Sequence, residues 1–464
     1  MKTTRLCALA ISGALGLYAQ LPDFTPPTPL FSAILRNDVA QVKRLLAAGA
    51  NPNEARFVGF PAVFFPVMNQ NAEMFRVMVE HGADVRSRDR AGSTTLMWAA
   101  FSETGKTELL EQLLKLGVDP NARNQSGETA LTWALRRGYT PAVTALKKGG
   151  ASDESMIKES VEKAIALLQK SSPQFVKVSG CVSCHHQSLP QMAAGLARER
   201  GFSVDGQLAQ QQTKAVIAMF KPLRDIMLQG TEKVPDPPIS VGYALVGLAA
   251  EGYAPDATTE AMAHLISTRQ APDGSFRALP ARPPMESSDF TATSLSLRAL
   301  QLYGTQPEER VARARQWLET ATPETNEDQA MRLLGLSWAK ADAKQLQKAA
   351  RELLAEQRPD GGWGQTPTLQ TDAYATGEAL VALRSSGQLA ASDPAYQRGI
   401  GFLLRTQLSD GSWLAHTRTF PFQVYKESGF PHGKDQWISA AASSWAAMAL
   451  SLSAPSSGQE ISGF

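Results

Sequence analysis

Three things are scarce in this chain. Cysteine occurs three times in 464 residues, at Cys7, Cys181 and Cys184, too few and too clustered for a disulfide framework. An excess of one charge is missing, because 46 Lys and Arg oppose 44 Asp and Glu. That balance leaves no electrostatic footprint for nucleic acid or for an anionic membrane surface. Long apolar runs are missing beyond the first twenty residues, so the mature chain is expected to have no transmembrane segment. The length exceeds one ordinary core, and roughly 150 residues per domain gives two to four units.

The single apolar run stands at the start. Lys2 and Arg5 precede Leu6 to Tyr18, and the small residue Ala19 is followed by Gln20 and a Pro-rich stretch. Basic start, short apolar core and small exit residue make residues 1–19 a secretory signal peptide, and the protein periplasmic or secreted. Residues 20–28 then form a Pro-rich linker. Cleavage would remove Cys7, leaving Cys181 and Cys184 as the two thiols of the mature chain.

Two repeat systems follow. Over residues 29–153 a Gly recurs after amphipathic runs at Gly49, Gly82, Gly117 and Gly149, in steps of 33, 35 and 32 residues. Each stands where a helix needs a C-terminal residue that tolerates positive φ. Asn51-Pro52-Asn53 and Asp119-Pro120-Asn121 supply turns. The segments Gly92-Ser93-Thr94-Thr95-Leu96-Met97-Trp98-Ala99 and Gly127-Glu128-Thr129-Ala130-Leu131-Thr132-Trp133-Ala134 resemble the helix start of ankyrin repeats. The Pro and His usual there are replaced. The resemblance implies about four repeats and a scaffold that binds a protein partner.

From residue 154 to 454 the unit changes. Gln270-Ala271-Pro272-Asp273-Gly274-Ser275-Phe276, Gln357-Arg358-Pro359-Asp360-Gly361-Gly362-Trp363 and Gln407-Leu408-Ser409-Asp410-Gly411-Ser412-Trp413 share Gln, five residues, then an aromatic. A helix ends at the Gln, Asp-Gly turns the chain, and the aromatic folds back between helices. Gln169 and Phe175 repeat the spacing in a degenerate first unit. Inner helices register as Asp289 to Leu300 and Asp372 to Leu383, with Ser439, Ser443 and Leu450 in the last. Residues 207–250 and 310–340 read as units without the motif, giving six helical hairpins. The fold class is therefore all-α: an ankyrin solenoid, then an α/α toroid, with 455–464 as a disordered tail.

The Gln-to-aromatic motifs resemble the QW repeats of squalene and oxidosqualene cyclases and the toroid of protein prenyltransferase β subunits. That resemblance implies a central cavity able to take an apolar small molecule. It also implies an acid for alkene protonation, the middle residue of Asp-x-Asp-Asp, and the matching place reads Ser287-Ser288-Asp289-Phe290. Asp289 has two open roles: cap of its own helix, as the shared register with Asp372 suggests, or catalytic acid. The prenyltransferase zinc site has no counterpart, since no inner helix starts with Asp-x-Cys.

One motif carries sharper chemistry: Cys181-Val182-Ser183-Cys184-His185-His186. Cys-x-x-Cys-His is the attachment signature of c-type cytochromes, in which two thiols bind a haem c covalently and the His becomes the proximal iron ligand. Such attachment happens outside the cytoplasm, where the signal peptide would send the chain. Alignment of Leu196 with Leu383 brings His185 onto the position of Asp372, so the toroid resemblance implies that the motif faces the central cavity. His416 and His432, in the loop between Trp413 and Trp437, are candidates for the sixth iron position. Met192 belongs to the helix core.

Alternatives remain open. Zinc held by Cys181, Cys184, His186 and one remote His would also be tetrahedral. A thiol redox pair or a chance match would leave no cofactor. The functions to weigh are an exported monohaem protein for electron transfer or ligand sensing, a cyclase-like enzyme using Asp289, and a non-catalytic scaffold.

Overall fold

The computed structural model describes residues 27–454, apart from 57–58, 102–105, 139, 232–233, 280–281 and 421–423. The expected signal peptide 1–19, all but two residues of the 20–28 stretch, and the expected tail 455–464 lie outside the described residues. The chain divides into two compact units, Met1–Ser152 and Asp153–Phe464. Both are helical, with two strand pairs of two residues each. No described helix is long and apolar enough to cross a membrane.

The first unit stacks four helix pairs: α1 (Pro29–Leu35) with α2 (Val39–Ala47), α3 (Phe64–Met68) with α4 (Ala72–Glu80), α5 (Thr95–Ala100) with α6 (Glu108–Lys115), and α7 (Ala130–Leu135) with α8 (Pro141–Lys148). Helices this short depend on their caps. The Asp38, Asn71, Thr94 and Thr129 side chains each accept the N–H three residues on. Gly49, Gly82 and Gly117 end their helices at φ 89°, 88° and 73°. In the fourth pair the left-handed residue is Gly150 (φ 91°), while Gly149 has φ −82°; the last step is thus 33 residues, one more than the sequence suggested. Neighbouring repeats are joined by one side chain at a fixed place. Asn53 Nδ2 donates to Gly82 O at 2.9 Å, and Asn121 Nδ2 donates to Gly150 O at 2.9 Å. Between them Arg86 occupies the same position and donates to Leu116 O. An edge-to-face aromatic column runs Phe31, Phe65, Phe60, Trp98, Trp133 and Phe101 through the stack.

The second unit is a closed ring. Its inner helices are α10 (Leu189–Glu199), α13 (Pro237–Ala250), α15 (Asp289–Tyr303), α17 (Asn326–Trp338), α19 (Ala373–Ser385) and α21 (Gln436–Ser451), each packed on the next, and α21 packs back on α10. The outer layer is α9 (Glu154–Ser179), α11 (Gly206–Phe220), α14 (Ala257–Ser267), α16 (Glu308–Thr320), α18 (Ala343–Ala355) and α20 (Pro394–Thr406), with the short α12 (Arg224–Leu228) after α11. Inner helices are buried on all sides, as their Ala-rich and apolar sequences demand.

The Gln-to-aromatic motifs are the joints of this ring. Gln270, Gln357 and Gln407 each donate Nε2 to the carbonyl of their own turn glycine and to a carbonyl near the start of the next outer helix: Arg310, Ala395 and Ser160. The last of these spans 247 residues and joins the ring's end to its beginning. Gly274, Gly361 and Gly411 have φ near +93°, and a Cβ on each would meet the outer helix at 2.3, 2.5 and 2.9 Å; only glycine fits there. The backbone N–H groups of Phe276, Trp363 and Trp413 donate to the side-chain hydroxyls of Thr293, Thr376 and Ser443, which confirms the shared register.

Two expectations need correction. Gln169 and Phe175 lie within one uninterrupted helix, α9, with no turn between them; Phe175 therefore does not plug a gap after a turn. Asp289 does not cap α15. Ser288 does, its Oγ accepting from the N–H groups of Phe290 and Thr291, because the chain enters this helix one residue earlier than at Asp372.

Candidate functional site at the Cys181–His185 turn

Helix α9 stops at Gly180, which adopts φ 71°. The next residues run out to Ser183, whose Oγ accepts the His186 N–H at 3.1 Å and starts a new turn. That turn, Cys184–Ser188, is wound with i→i+5 bonds: Ser188 N reaches Ser183 O, and Leu189 N reaches Cys184 O. Such widened turns leave carbonyls without intrahelical partners. Here Gln212 of α11 donates Nε2 to both His186 O (3.1 Å) and Gln187 O (2.9 Å). Gln187 in turn accepts the Ser183 N–H and donates to Ser172 O of α9. The turn is thus fixed from two sides before it runs into α10.

The widening separates the roles of the two histidines. His186 is fully buried and stacks on Phe175, with ring centroids 4.7 Å apart. Its Nε2 meets Ser428 Oγ at 2.7 Å and its Nδ1 meets His185 Nδ1, so both nitrogens are engaged. Burial pushes its pKa down to about 3. His185 is half-buried and stacks on Trp437 at 5.2 Å. Its Nδ1 faces His186 and Ser183, and its Nε2 has no hydrogen-bond partner among the described residues. Burial, followed by the neighbouring His186 and Arg282, holds its pKa well below the usual range.

Two cavities flank His185. The larger, about 560 Å³, is lined by Cys181, Cys184 and His185 together, with Phe175, Met219, Phe220, Ile239 and Trp437 among its apolar walls. The smaller, about 310 Å³, shares His185, Trp437, Arg282 and Glu286 with it and adds Met285, Phe420 and Tyr425. The larger falls within the range of about 300–1,000 Å³ typical of cofactor sites. Arg282 pairs with Glu286 at the shared wall, and burial pushes the Asp236 carboxyl up to about 6. Cys181 is exposed and Cys184 buried, and burial raises the Cys184 thiol, the reverse of a thiol activated for exchange.

The structure therefore brings Cys181, Cys184 and His185 to one cavity and leaves the other candidates elsewhere. His416 is exposed and bonded to Asp435, and His432 Nε2 meets Ser412 Oγ at 2.8 Å; neither lines the two cavities. Asp289 pairs with Arg277 and accepts the Ala278 N–H, outside both cavities. Met192 is buried in the ring core. Among the described residues no group of three or more His, Cys, Asp and Glu is placed to hold a metal ion. Haem attachment asks for a different set, two thiols and one imidazole lining one largely apolar space, and Cys181, Cys184 and His185 all line the larger cavity, whose walls also include Asp236, Arg282 and Glu286. The free Nε2, with Nδ1 held by a neighbour, is the usual arrangement of a ligating histidine.

The sequence reading missed a second polar cluster. Glu327 of α17 and Glu378 of α19 lie in hydrogen-bond contact, 3% and 0% exposed. Thr291 and Tyr374 hydroxyls donate to Glu327 at 2.7 and 2.9 Å, and Asn326 Nδ2 donates to Glu378 at 3.2 Å. The available signal was an ionisable residue inside an otherwise apolar inner helix, Ala373-Tyr374-Ala375-Thr376-Gly377-Glu378-Ala379-Leu380.

Comparison with known proteins finds a different family in each unit, the ankyrin match running on into the start of α9. Residues 30–124 and 96–165 match the ankyrin repeats, in three copies. Residues 328–406, from α17 to the end of α20, match the squalene-hopene cyclase N-terminal domain. Over 88 residues, 19% of this chain, the protein is 36% identical to the human transient receptor potential cation channel subfamily A member 1. That match spans 8% of the channel's length. The chain thus carries ankyrin repeats of the kind that mediate protein–protein contacts, and a squalene-cyclase-like helical domain.

Proposed function

We propose that the ring holds one covalently attached haem c in the larger cavity, and that the protein works outside the cytoplasm in electron transfer or ligand sensing, with the ankyrin array binding a protein partner. The observation that carries this reading is that Cys181, Cys184 and His185 line one largely apolar cavity, with Nδ1 of His185 held by its neighbour. Bound there, a haem supplies a one-electron couple and an iron that can take a further ligand. The chain's own part is to fix His185 through Nδ1 and the Trp437 stack. The zinc alternative is less well supported, because both nitrogens of His186 are already engaged. The cyclase alternative is less well supported, because Asp289 is bonded to Arg277 and lines neither cavity.

Expression in an oxidising compartment with the cytochrome c maturation machinery tests the reading. The expected product is coloured, shows a Soret band and has the mass of the chain plus one haem, retained on denaturation. Cys181→Ala and Cys184→Ala should each remove one thioether link, and the double variant should lose the covalent haem. A colourless protein that carries zinc instead would sink the idea.

A further inference from the structure

The smaller cavity beside His185, about 310 Å³, has walls whose polar atoms are mostly engaged within the chain. Three rings stack along one side, His185 on Trp437 at 5.2 Å and Trp437 on Tyr425 at 6.4 Å. The Trp437 indole N–H donates to Lys426 O at 3.1 Å, and the Tyr425 hydroxyl lies 2.8 Å from Glu427 Oε2 and 2.9 Å from Gly433 O. Arg282 and Glu286 pair through their side chains and again through their backbones. Pro283, Met285, Phe420 and Ile438 add apolar surface. The body of a guest therefore meets mainly hydrocarbon and ring faces. Phe420 is 79% exposed, so a guest would cover an aromatic side chain that the chain itself leaves to water.

Lys434 is the exception among these walls. It lines the cavity from the turn Gly433–Asp435 that leads into α21, and its ammonium has no ion pair or hydrogen bond among the described residues. The acid beside it is already taken: Asp435 Oδ2 faces His416 Nδ1 at 2.8 Å, and its Oδ1 accepts the Thr417 N–H at 2.8 Å. Elsewhere in the lining Arg282 and Glu286 cancel, and burial keeps His185 neutral. The cavity is left with a single positive charge on a largely apolar surface, the form of a small-molecule site whose one polar group orients the ligand.

We propose that this cavity binds a small amphipathic monocarboxylate of the medium-chain fatty-acid class, its chain against Phe420, Tyr425, Trp437 and Ile438 and its carboxylate on Lys434. One negative charge answers one cation. A phosphate or diphosphate ester would bring charge that no further cation balances, and a neutral alcohol or hydrocarbon would leave the ammonium unused. The assignment stands apart from the haem reading, because Cys181 and Cys184 line the larger cavity and not this one.

Calorimetric titration of the full-length protein with decanoate, decanol and decyl phosphate, each below its critical micelle concentration, tests this. Decanoate should bind at one site and more tightly than the other two. Lys434→Met should weaken decanoate about fivefold, the upper end for a solvent-accessible ion pair, and leave decanol unchanged, while Lys434→Arg should keep the native affinity. Phe420→Ser, at an exposed position, should weaken decanoate and decanol alike. Circular dichroism checks that each variant is folded. Three results overturn the proposal: no saturable decanoate binding, decanol or decyl phosphate binding as tightly as decanoate, or equal decanoate affinity in the native and Lys434→Met proteins. A protein that carries no haem overturns the haem reading alone, since this titration is read without the haem.

Discussion

The first hairpin of the ring and the three hairpins with Gln-to-aromatic joints solve the same problem in different ways. In the latter, the backbone N–H of the aromatic residue is pinned to a hydroxyl on the inner helix, and its buried ring fills the gap. In the first, α9 runs on past Gln169 and ends at Gly180, and a widened turn leads into α10. The first joint retains one element of the others: Gln169 still bonds to the start of the next outer helix, at Asp205. What it gives up is the turn that folds the aromatic back, and Phe175 instead stands in the wall of the cavity lined by Cys181 and Cys184. A repeat joint freed from its packing duty can hold chemistry.

Substitutions at the two kinds of joint should separate packing from site, beginning with the largest effect. Trp413 is buried, donates Nε1 to Leu403 O and is held by Ser443. Trp413→Ala should cost about 3–5 kcal/mol of unfolding free energy, read from denaturant titration; a loss below 1 kcal/mol would mean the joint is not structural. At the first joint the equivalent support is polar. Gln212→Ala strips the Nε2 that donates to both the His186 and Gln187 carbonyls and should cost about 1–3 kcal/mol. It should also loosen haem incorporation, which Trp413→Ala in a still-folded background would not do selectively. The smallest effect should come from the α15 start. Ser288→Ala removes the cap and should cost about 1 kcal/mol, whereas Asp289→Asn disturbs a partly exposed pair with Arg277 and should cost less than that. A reversed order would restore Asp289 as the cap.

The same comparison shows what the sequence could reveal. The three joints were readable because a turn needing positive φ forces Asp-Gly at a fixed distance from Gln and aromatic. Gln169 and Phe175 match that distance but not the turn, since Lys170 to Gln174 offers no glycine, and the helix continues through them. Gly149 and Gly150 are adjacent, and only backbone geometry decides which takes the left-handed place. The cysteines and His185 were legible as a motif. Their company was not, because Trp437 and Arg282 reach the cavity from distant parts of the chain. Glu327 and Glu378 lie 51 positions apart in sequence, and only the packing of successive inner helices makes them neighbours.

The bond from Gln407 to Ser160 sets the two units apart in how they tolerate cutting. An array of stacked repeats can lose a terminal member and keep the rest, because each repeat leans only on its neighbours. A ring has no terminal member. Removing α9 would strip Gln407 of its partner and expose α21, so either end of the second unit is as indispensable as its middle. New termini cut at an exposed turn elsewhere in the circle, with the old ends linked, should instead leave every joint intact.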